Sequence, residues 1–301
     1  MKILLTGRNG QLGWELERAL APLGELAAYD RTNLDLAKPD QIAAAVSSVK
    51  PDIIVNAAAY TAVDKAESEP ETAFAVNAIA PGLLAEGAKR AGALLIHYST
   101  DYVFDGTKEM PYVEKDPPNP LNVYGRSKLA GEQAIGDVGE RYLILRTSWV
   151  YAPRGRNFLL TIRGLLKEKD ELRVVSDQIG APTSAGALAN ATAELLRQRT
   201  PTALDDALGT YHVTAAGHTS WHGFALEIAR LEGAPRETRV VPIASNDYPR
   251  PARRPKNSRL SNEKLFRRFG VTLPSWQACL KACYAELRES DRLDADAQCG
   301  R

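Results

Sequence analysis

Two hydrophobic rhythms share the first half of the chain. Apolar runs at Lys2–Thr6 (KILLT), Glu25–Tyr29, Ile53–Asn56 (IIVN), Leu94–Ser99 (LLIHYS) and Tyr142–Thr147 (YLILRT) have the length of strands. Between them, Gln11–Leu23, Lys38–Val49, the Ala-rich Glu71–Ala91 and Tyr124–Ile135 carry helical spacing. Strict alternation of strand and helix predicts βαβ units, and so a parallel sheet covered on both faces. Right-handed crossovers then make it a doubly wound α/β fold.

The second half is less regular. Helical spacing recurs at Asn157–Lys167, Ala185–Arg197, Trp221–Leu231, Ser261–Phe269 and Ser275–Leu287. Proline-rich loops separate these segments, at Ala181–Thr183 and Asp247–Pro255. Some of these elements are expected to return to the first sheet, and the rest to form a smaller, discontinuous lobe. The polar stretch Glu286–Arg301 is expected to fray.

Gly7, Gly10 and Gly13 follow the first strand and open the first helix, in the pattern G-x-x-G-x-x-G. In that context the glycines permit a tight turn and a close backbone approach to a pyrophosphate, whose charge the free helix N–H groups would face. Gly13 is expected to let the helix pack closely on the sheet. Gly7, Asn9, Gly10, Gln11, Leu12 and Gly13 are therefore candidate contacts for a nicotinamide dinucleotide. The first 150 residues read as a Rossmann-like NAD(P)-binding domain, with returning elements near 182–232. Residues 151–181 and 233–290 would form the α/β substrate lobe, and 291–301 a polar tail. Asp30 lies 23 residues after Gly7, near the offset expected of a carboxylate on the adenosine ribose. Arg8 and Arg31 would instead suit a 2′-phosphate. NADH and NADPH both stay open.

Tyr124 and Lys128 stand at i and i+4 near a helix start and so share a face. A cation held near a phenol stabilises phenolate, which brings the group closer to proton exchange at neutral pH. Thr100 ends the fourth strand, at the sheet edge where such folds bind ligands, and its hydroxyl could hold the reacting oxygen. The three are candidate catalytic residues for an alcohol/carbonyl interconversion.

The composition is that of a globular protein: 301 residues, 44% hydrophobic and 25% charged. Lys and Arg number 38 against 37 Asp and Glu, so no global charge points to nucleic acid or to a membrane surface. The excess is local. Arg236–Arg268 holds ten Lys or Arg against three Asp or Glu, with Arg253, Arg254 and Lys256 on a proline-stiffened loop. A diphosphate would be drawn there. Tyr248, Phe266 and Phe269 are too few to suggest base stacking. Cys279, Cys283 and Cys299 have neither disulfide-framework nor zinc spacing, which fits a reducing cytoplasm. The apolar start is too short for a signal peptide, and Gly180, Pro182 and Gly186 break the longest uncharged run, so no membrane span is expected.

Six stretches together resemble the extended short-chain dehydrogenase/reductase family. They are Gly7–Gly13 (GRNGQLG), Asn56–Glu67 (NAAAYTAVDKAE), Ser99–Gly106 (STDYVFDG), Asn122–Glu132 (NVYGRSKLAGE), Leu145–Tyr151 (LRTSWVY) and Arg254–Leu260 (RPKNSRL). They run in order over roughly residues 1–270. The resemblance implies NAD(P)H-dependent reduction of the C4 ketone of a dTDP-linked 4-keto-6-deoxy sugar. Tyr124 would give a proton to the C4 oxygen. Lys128 would hold the nicotinamide ribose and keep Tyr124 acidic. Thr100 would stand where many relatives have serine. Ala58, Ala59 and Tyr60 would line the cofactor, and Asp35 and Leu36 would sit near the adenine. Asp101 and Trp149 would contact the substrate, alongside Arg253 and Lys256 from the basic loop. Some members dimerise through a magnesium site built from glutamates, to which Glu15 could contribute one ligand; a homodimer and magnesium are therefore open. A related epimerase or dehydratase that recycles its cofactor is the first alternative. The single Asp101 after Thr100 favours simple reduction over a dehydratase, which would want an acidic pair there. A non-catalytic dinucleotide-binding subunit is the second.

Overall fold

The computed structural model describes residues 1–139, 141–198, 208–233 and 238–299. Strands β1 (Lys2–Thr6), β2 (Glu25–Tyr29), β3 (Ile53–Asn56), β4 (Leu94–Thr100) and β5 (Tyr142–Thr147) stand where the apolar runs predict them, β4 one residue longer. Helices α1 (Gln11–Leu20) and α2 (Pro39–Val49) link the first three strands, and a 3-10 turn at Ala21–Leu23 closes the first. The predicted helix over Glu71–Ala91 forms without a break but is not α-helical throughout. Short helices α3 (Val63–Ala66) and α4 (Pro70–Phe74) lead into a π-turn at Ala75–Ile79, from which α5 (Ala80–Ala91) continues. Helix α6 (Val123–Val138) precedes β5.

The rest of the chain comprises β6 (Val150–Tyr151), α7 (Phe158–Glu168), β7 (Glu171–Val175), β8 (Ile179–Gly180), β9 (Thr183–Ser184), α8 (Ala185–Gln198), β10 (Gly209–His212), β11 (Thr219–Ser220), α9 (Trp221–Glu232), β12 (Arg239–Ile243), α10 (Glu263–Phe269) and α11 (Trp276–Cys299). Its strands leave little trace in the sequence pattern. β7 and β12 pair only with each other, and four others are two residues long, too short to show a period. Helix α11 also departs from expectation. It runs on to Cys299, past Leu287 and through a stretch that polarity alone marks as fraying.

Six parallel strands form the main sheet in the order β2-β1-β3-β4-β5-β10. Winding reverses between β1 and β3, which opens a crevice at the carboxyl ends of those strands. The strands are apolar throughout because both faces are covered. Ile3, Leu5, Ile53, Val55, Ile96 and Leu145 pack with α1 and α8. The alternate residues Leu4, Ile54, Leu95 and Ile144 pack with α2, α5 and α6. A third core joins α7, α9 and α11 through Leu159, Ile162, Phe224, Ile228, Trp276 and Leu280.

Candidate active site

The glycine turn lies at the β1/β3 crevice. Gly7 has φ +76°, and a Cβ on it would stand 2.8 Å from the Ala58 backbone. A Cβ on Gly13 would stand 1.9 Å from the Gly7 carbonyl oxygen. Gly13 therefore seats α1 on the turn itself, rather than on the sheet. Gly10 caps α1 with no side-chain hydrogen bond, and no acidic residue lies in the first turn. The first N–H groups of α1 therefore meet no side-chain acceptor or acidic residue of the turn, which fits the diphosphate of a dinucleotide. Gln11 is held from behind by Asn157, whose NH2 donates to its Oε1 at 2.8 Å. Leu12 faces the core.

Asp30 is tied into its own loop. It accepts from Asn9 Nδ2 at 2.7 Å and from the Thr32 hydroxyl and N–H, and the Thr32 bonds above all hold its carboxyl below the usual range. Arg8 turns to Glu17 at 2.8 Å, while Arg31 reaches out exposed, 4.0 Å from Asp35. Leu36 packs with Leu34 and Ile42 below the sheet edge, and Asp35 caps the backbone at Ala37.

Thr100, Asp101 and Tyr124 meet at the end of β4. The Thr100 hydroxyl bonds Asp101 Oδ1 at 3.1 Å and accepts from the Tyr102 N–H at 3.1 Å. Burial pushes the Tyr124 phenol up to about 12; the Thr100 hydroxyl counters this, and the Asp101 charge adds to it. The expected direct lowering by Lys128 is absent. The Lys128 ammonium instead donates to the Tyr98 carbonyl at 2.6 Å and faces His97 Nε2 at 3.0 Å, and burial brings it down to about 8. Asp101 is 2% exposed, its Oδ2 makes no hydrogen bond, and burial raises its carboxyl to about 6.

Helix α6 is brought to this point by contacts that sequence reading does not resolve. Asn122 caps it by accepting from Gly125 N–H at 2.7 Å, and the Glu67 carboxylate accepts from Val123 N–H at 2.7 Å. A Cβ on Gly125 would stand 2.3 Å from the Tyr102 carbonyl oxygen, so only glycine lets the Tyr124 turn approach β4 this closely. Asn77, in the π-turn, accepts from Tyr60 N–H and donates to both the Tyr60 carbonyl and Ser127 Oγ. It thereby ties the loop after β3, which carries Ala58, Ala59 and Tyr60, to α6. The Tyr60 hydroxyl donates to Glu69 at 2.7 Å. The one foreshadowing of Asn77 is its place within an Ala-rich helical pattern, where a buried carboxamide needs partners.

A cleft of about 1230 Å³ is lined among others by Trp221, Tyr248, Arg250, Arg253, Arg254 and Lys256, and not by Thr100, Asp101, Tyr124 or Trp149. Trp149 adopts φ +49° and lies flat against Trp221, with ring centroids 3.5 Å apart. Gly180 makes room for it, since a Cβ there would stand 2.5 Å from the indole. Sequence reading places Trp221 only at a helix start. Arg253 is exposed and its carbonyl accepts from Asn122 Nδ2. Lys256 is exposed, 3.9 Å from Asp177. Arg254 instead forks onto Asp64, at 3.0 and 2.9 Å. Two residues of the basic stretch, 236 and 237, lie outside the described residues, as do 300 and 301 of the tail.

Glu15 is paired with Arg154 at 2.9 Å, and burial raises its carboxyl. Among the described residues, no three His, Cys, Asp or Glu side chains cluster to hold a metal ion. No helix among them is long and apolar enough to cross a membrane.

Residues 1–289 match the model of the RmlD substrate binding domain family. The chain is 51% identical over 297 residues to a dTDP-4-dehydrorhamnose reductase of Burkholderia thailandensis, covering 95% of this chain and 99% of that protein. Two solved structures are similar throughout. One is a dTDP-4-dehydrorhamnose reductase of Clostridium acetobutylicum, with a TM-score of 0.89, 40% identity, and coverage of 96% of this chain and 100% of that one. The other is a dTDP-4-dehydrorhamnose reductase of Bacillus anthracis in complex with NADP, with a TM-score of 0.87, 37% identity, and coverage of 95% and 99%.

Proposed function

The chain belongs to the RmlD substrate binding domain family, and from that premise we infer that it is a dTDP-4-dehydrorhamnose reductase. It is an NAD(P)H-dependent oxidoreductase that reduces the C4 ketone of dTDP-4-dehydro-L-rhamnose to the alcohol of dTDP-L-rhamnose. The reading rests most heavily on the meeting of Thr100, Asp101 and Tyr124 at the sheet's carboxyl edge, beside the glycine turn.

Gly7, Asn9, Gly10 and the first turn of α1 from Gln11 to Gly13 would hold the dinucleotide's diphosphate. Asp30 and Arg31 would meet the adenosine ribose, Asp35 and Leu36 the adenine, and Ala58, Ala59 and Tyr60 the nearer half of the cofactor. When bound, the reduced nicotinamide supplies the hydride. The proton comes from Tyr124. Its raised pKa keeps the phenol fully protonated at neutral pH, the state a proton donor needs. The phenol O–H gives its proton to the C4 oxygen as the carbonyl becomes an alcohol, and the Thr100 hydroxyl holds that oxygen. Lys128, one turn along α6, would hold the nicotinamide ribose; its ammonium turns to the Tyr98 carbonyl and His97 and does not itself lower the phenol. Asp101 Oδ2 offers an acceptor to a sugar hydroxyl, Trp149 a wall, and Arg253 and Lys256 charge for the nucleotide diphosphate. The lobe of residues 151–181 and 233–290 thus takes the sugar nucleotide, and the work is done in the cytoplasm, where nucleotide sugars and reduced cofactor are at hand.

The test is kinetic. Purified protein, NADPH and dTDP-4-dehydro-L-rhamnose should consume reduced cofactor stoichiometrically with the sugar. Tyr124→Phe should lose roughly 10²–10⁴-fold in kcat. Turnover of the natural chain no better than that of Tyr124→Phe would overturn the reading, and sugar conversion without net cofactor consumption would point to an epimerase.

A further inference from the structure

Beneath the site, the strand ends carry a row of polar side chains that the reaction scheme leaves unused. Thr6 on β1, Asn56 on β3 and His97 on β4 are register partners across three neighbouring strands. All are buried, His97 completely. The Thr6 hydroxyl and Asn56 Oδ1 meet at 2.6 Å, Asn56 Nδ2 and His97 Nδ1 at 3.0 Å, and His97 Nε2 and Lys128 Nζ at 3.0 Å. The next carboxylate along α6, Glu132, is forked onto Arg146 and so is engaged elsewhere.

We propose that His97 is a positioning residue for the ketone reduction: held by Asn56 as the Nδ1–H tautomer, it offers its Nε2 lone pair to the Lys128 ammonium and so aims that charge. The inference rests on the reading of Tyr124 and Lys128 as the reacting pair. Its logic is one of donors and acceptors. An ammonium has three donors and no acceptor, so an imidazole can face it favourably only through an unprotonated nitrogen. With Nε2 unprotonated, a neutral ring carries its proton on Nδ1, and that N–H needs an acceptor. The group standing there is the Asn56 carboxamide. Its oxygen and nitrogen are nearly interchangeable in shape, so hydrogen bonding decides which end faces the ring. With the oxygen toward His97, the NH2 faces the Thr6 hydroxyl, which accepts. The reverse orientation would set His97 Nε2–H against the ammonium, two donors 3.0 Å apart in a low-dielectric interior. A doubly protonated ring is no remedy, since burial and the neighbouring Lys128 charge both oppose it.

Removing His97 leaves the ammonium with the Tyr98 carbonyl as its remaining bond and frees a four-carbon stem to swing. Chemistry should suffer more than binding. His97→Leu is expected to lower kcat about tenfold to a hundredfold, with KM for the dTDP sugar changed less than about threefold. His97→Gln, whose carboxamide oxygen can stand in for Nε2, should recover most of the loss. Independently of turnover, nitrogen NMR on ¹⁵N-histidine protein at neutral pH should show His97 neutral and protonated on Nδ1. A Nε2–H tautomer or an imidazolium overturns the proposal. So does a Leu variant as fast as the natural chain, or a Gln variant no better than Leu. Should the Leu variant fail to fold, the Gln variant and the tautomer still decide. An inactive natural chain with the Nδ1–H tautomer would instead sink the reductase reading and leave the His97–Asn56 geometry standing.

Discussion

Asp101 shows how the site spends stability on chemistry. A carboxyl that titrates near 4 in the unfolded chain and about 6 in the fold binds its proton more tightly when folded. Stability therefore falls as pH rises from about 4 to 6, and the loss is complete above that window. Asp101→Asn keeps the shape and removes the buried charge. At neutral pH it should raise stability by an amount on the order of 3 kcal/mol, with the gain vanishing below about pH 4. Urea unfolding of both proteins across that range checks it, and a gain independent of pH would refute the buried-charge account. The same variant should be a poorer reductase, because it presents a donor or a weaker acceptor where the sugar is expected to meet a carboxylate. Tyr124 is the complementary case: burial raises both groups, which keeps the phenol protonated and leaves Asp101 mostly ionised at neutral pH.

Helix α6 carries the proposed reacting pair, Tyr124 and Lys128, and its entry angle is set by three contacts at its first turn: the Asn122 cap, Glu67 on the Val123 N–H, and Gly125 against Tyr102. Gly125→Ala forces a Cβ to 2.3 Å from a carbonyl oxygen, so the turn must back away from Thr100. That variant should lose about 1–3 kcal/mol of stability, and about a hundredfold in kcat if Tyr124 shifts by an ångström. Gly136 lies farther along the same helix, and its Cβ would find nothing nearer than 3.9 Å. Gly136→Ala should be neutral or stabilising by up to about 1 kcal/mol, with kcat unchanged. Equal kinetic effects in the two variants would show that helix entry does not control the chemistry.

At the scale of the whole molecule, the Asp64–Arg254 fork ties the loop of Arg253 and Lys256 to helix α3. Ala252 N–H adds a bond to the same carboxylate, and Asn122 holds the Arg253 carbonyl. Cutting the fork should loosen the loop without touching the reacting groups. Asp64→Asn should raise KM for the dTDP sugar about five- to tenfold, the worth of roughly 1 kcal/mol, with kcat within about twofold. A fall in kcat with KM unchanged would mean that the fork acts on α6 instead. Trp221 on α9 lines the cleft and stacks on Trp149, which follows β5, so residues far apart in the chain build this wall.

Local pattern was enough for the doubly wound sheet, the glycine turn and the Tyr124–Lys128 face, because each depends on residues a few positions apart. Periodicity places β1 to β5, and a G-x-x-G-x-x-G turn between strand and helix needs no distant partner. The π-turn at Ala75–Ile79 and the pairing of β7 with β12 escape that reading, since contacts between distant segments hold them, and so does the extension of α11 to Cys299. So does the direction of the Lys128 ammonium. A spacing of four says that Tyr124 and Lys128 share a helix face, but a buried cation goes where acceptors are, and these come from β4. Hydrogen-bond partners of buried polar groups lie far apart in the chain, so folding alone brings His97, Asn56 and Thr6 beneath the helix that carries Lys128.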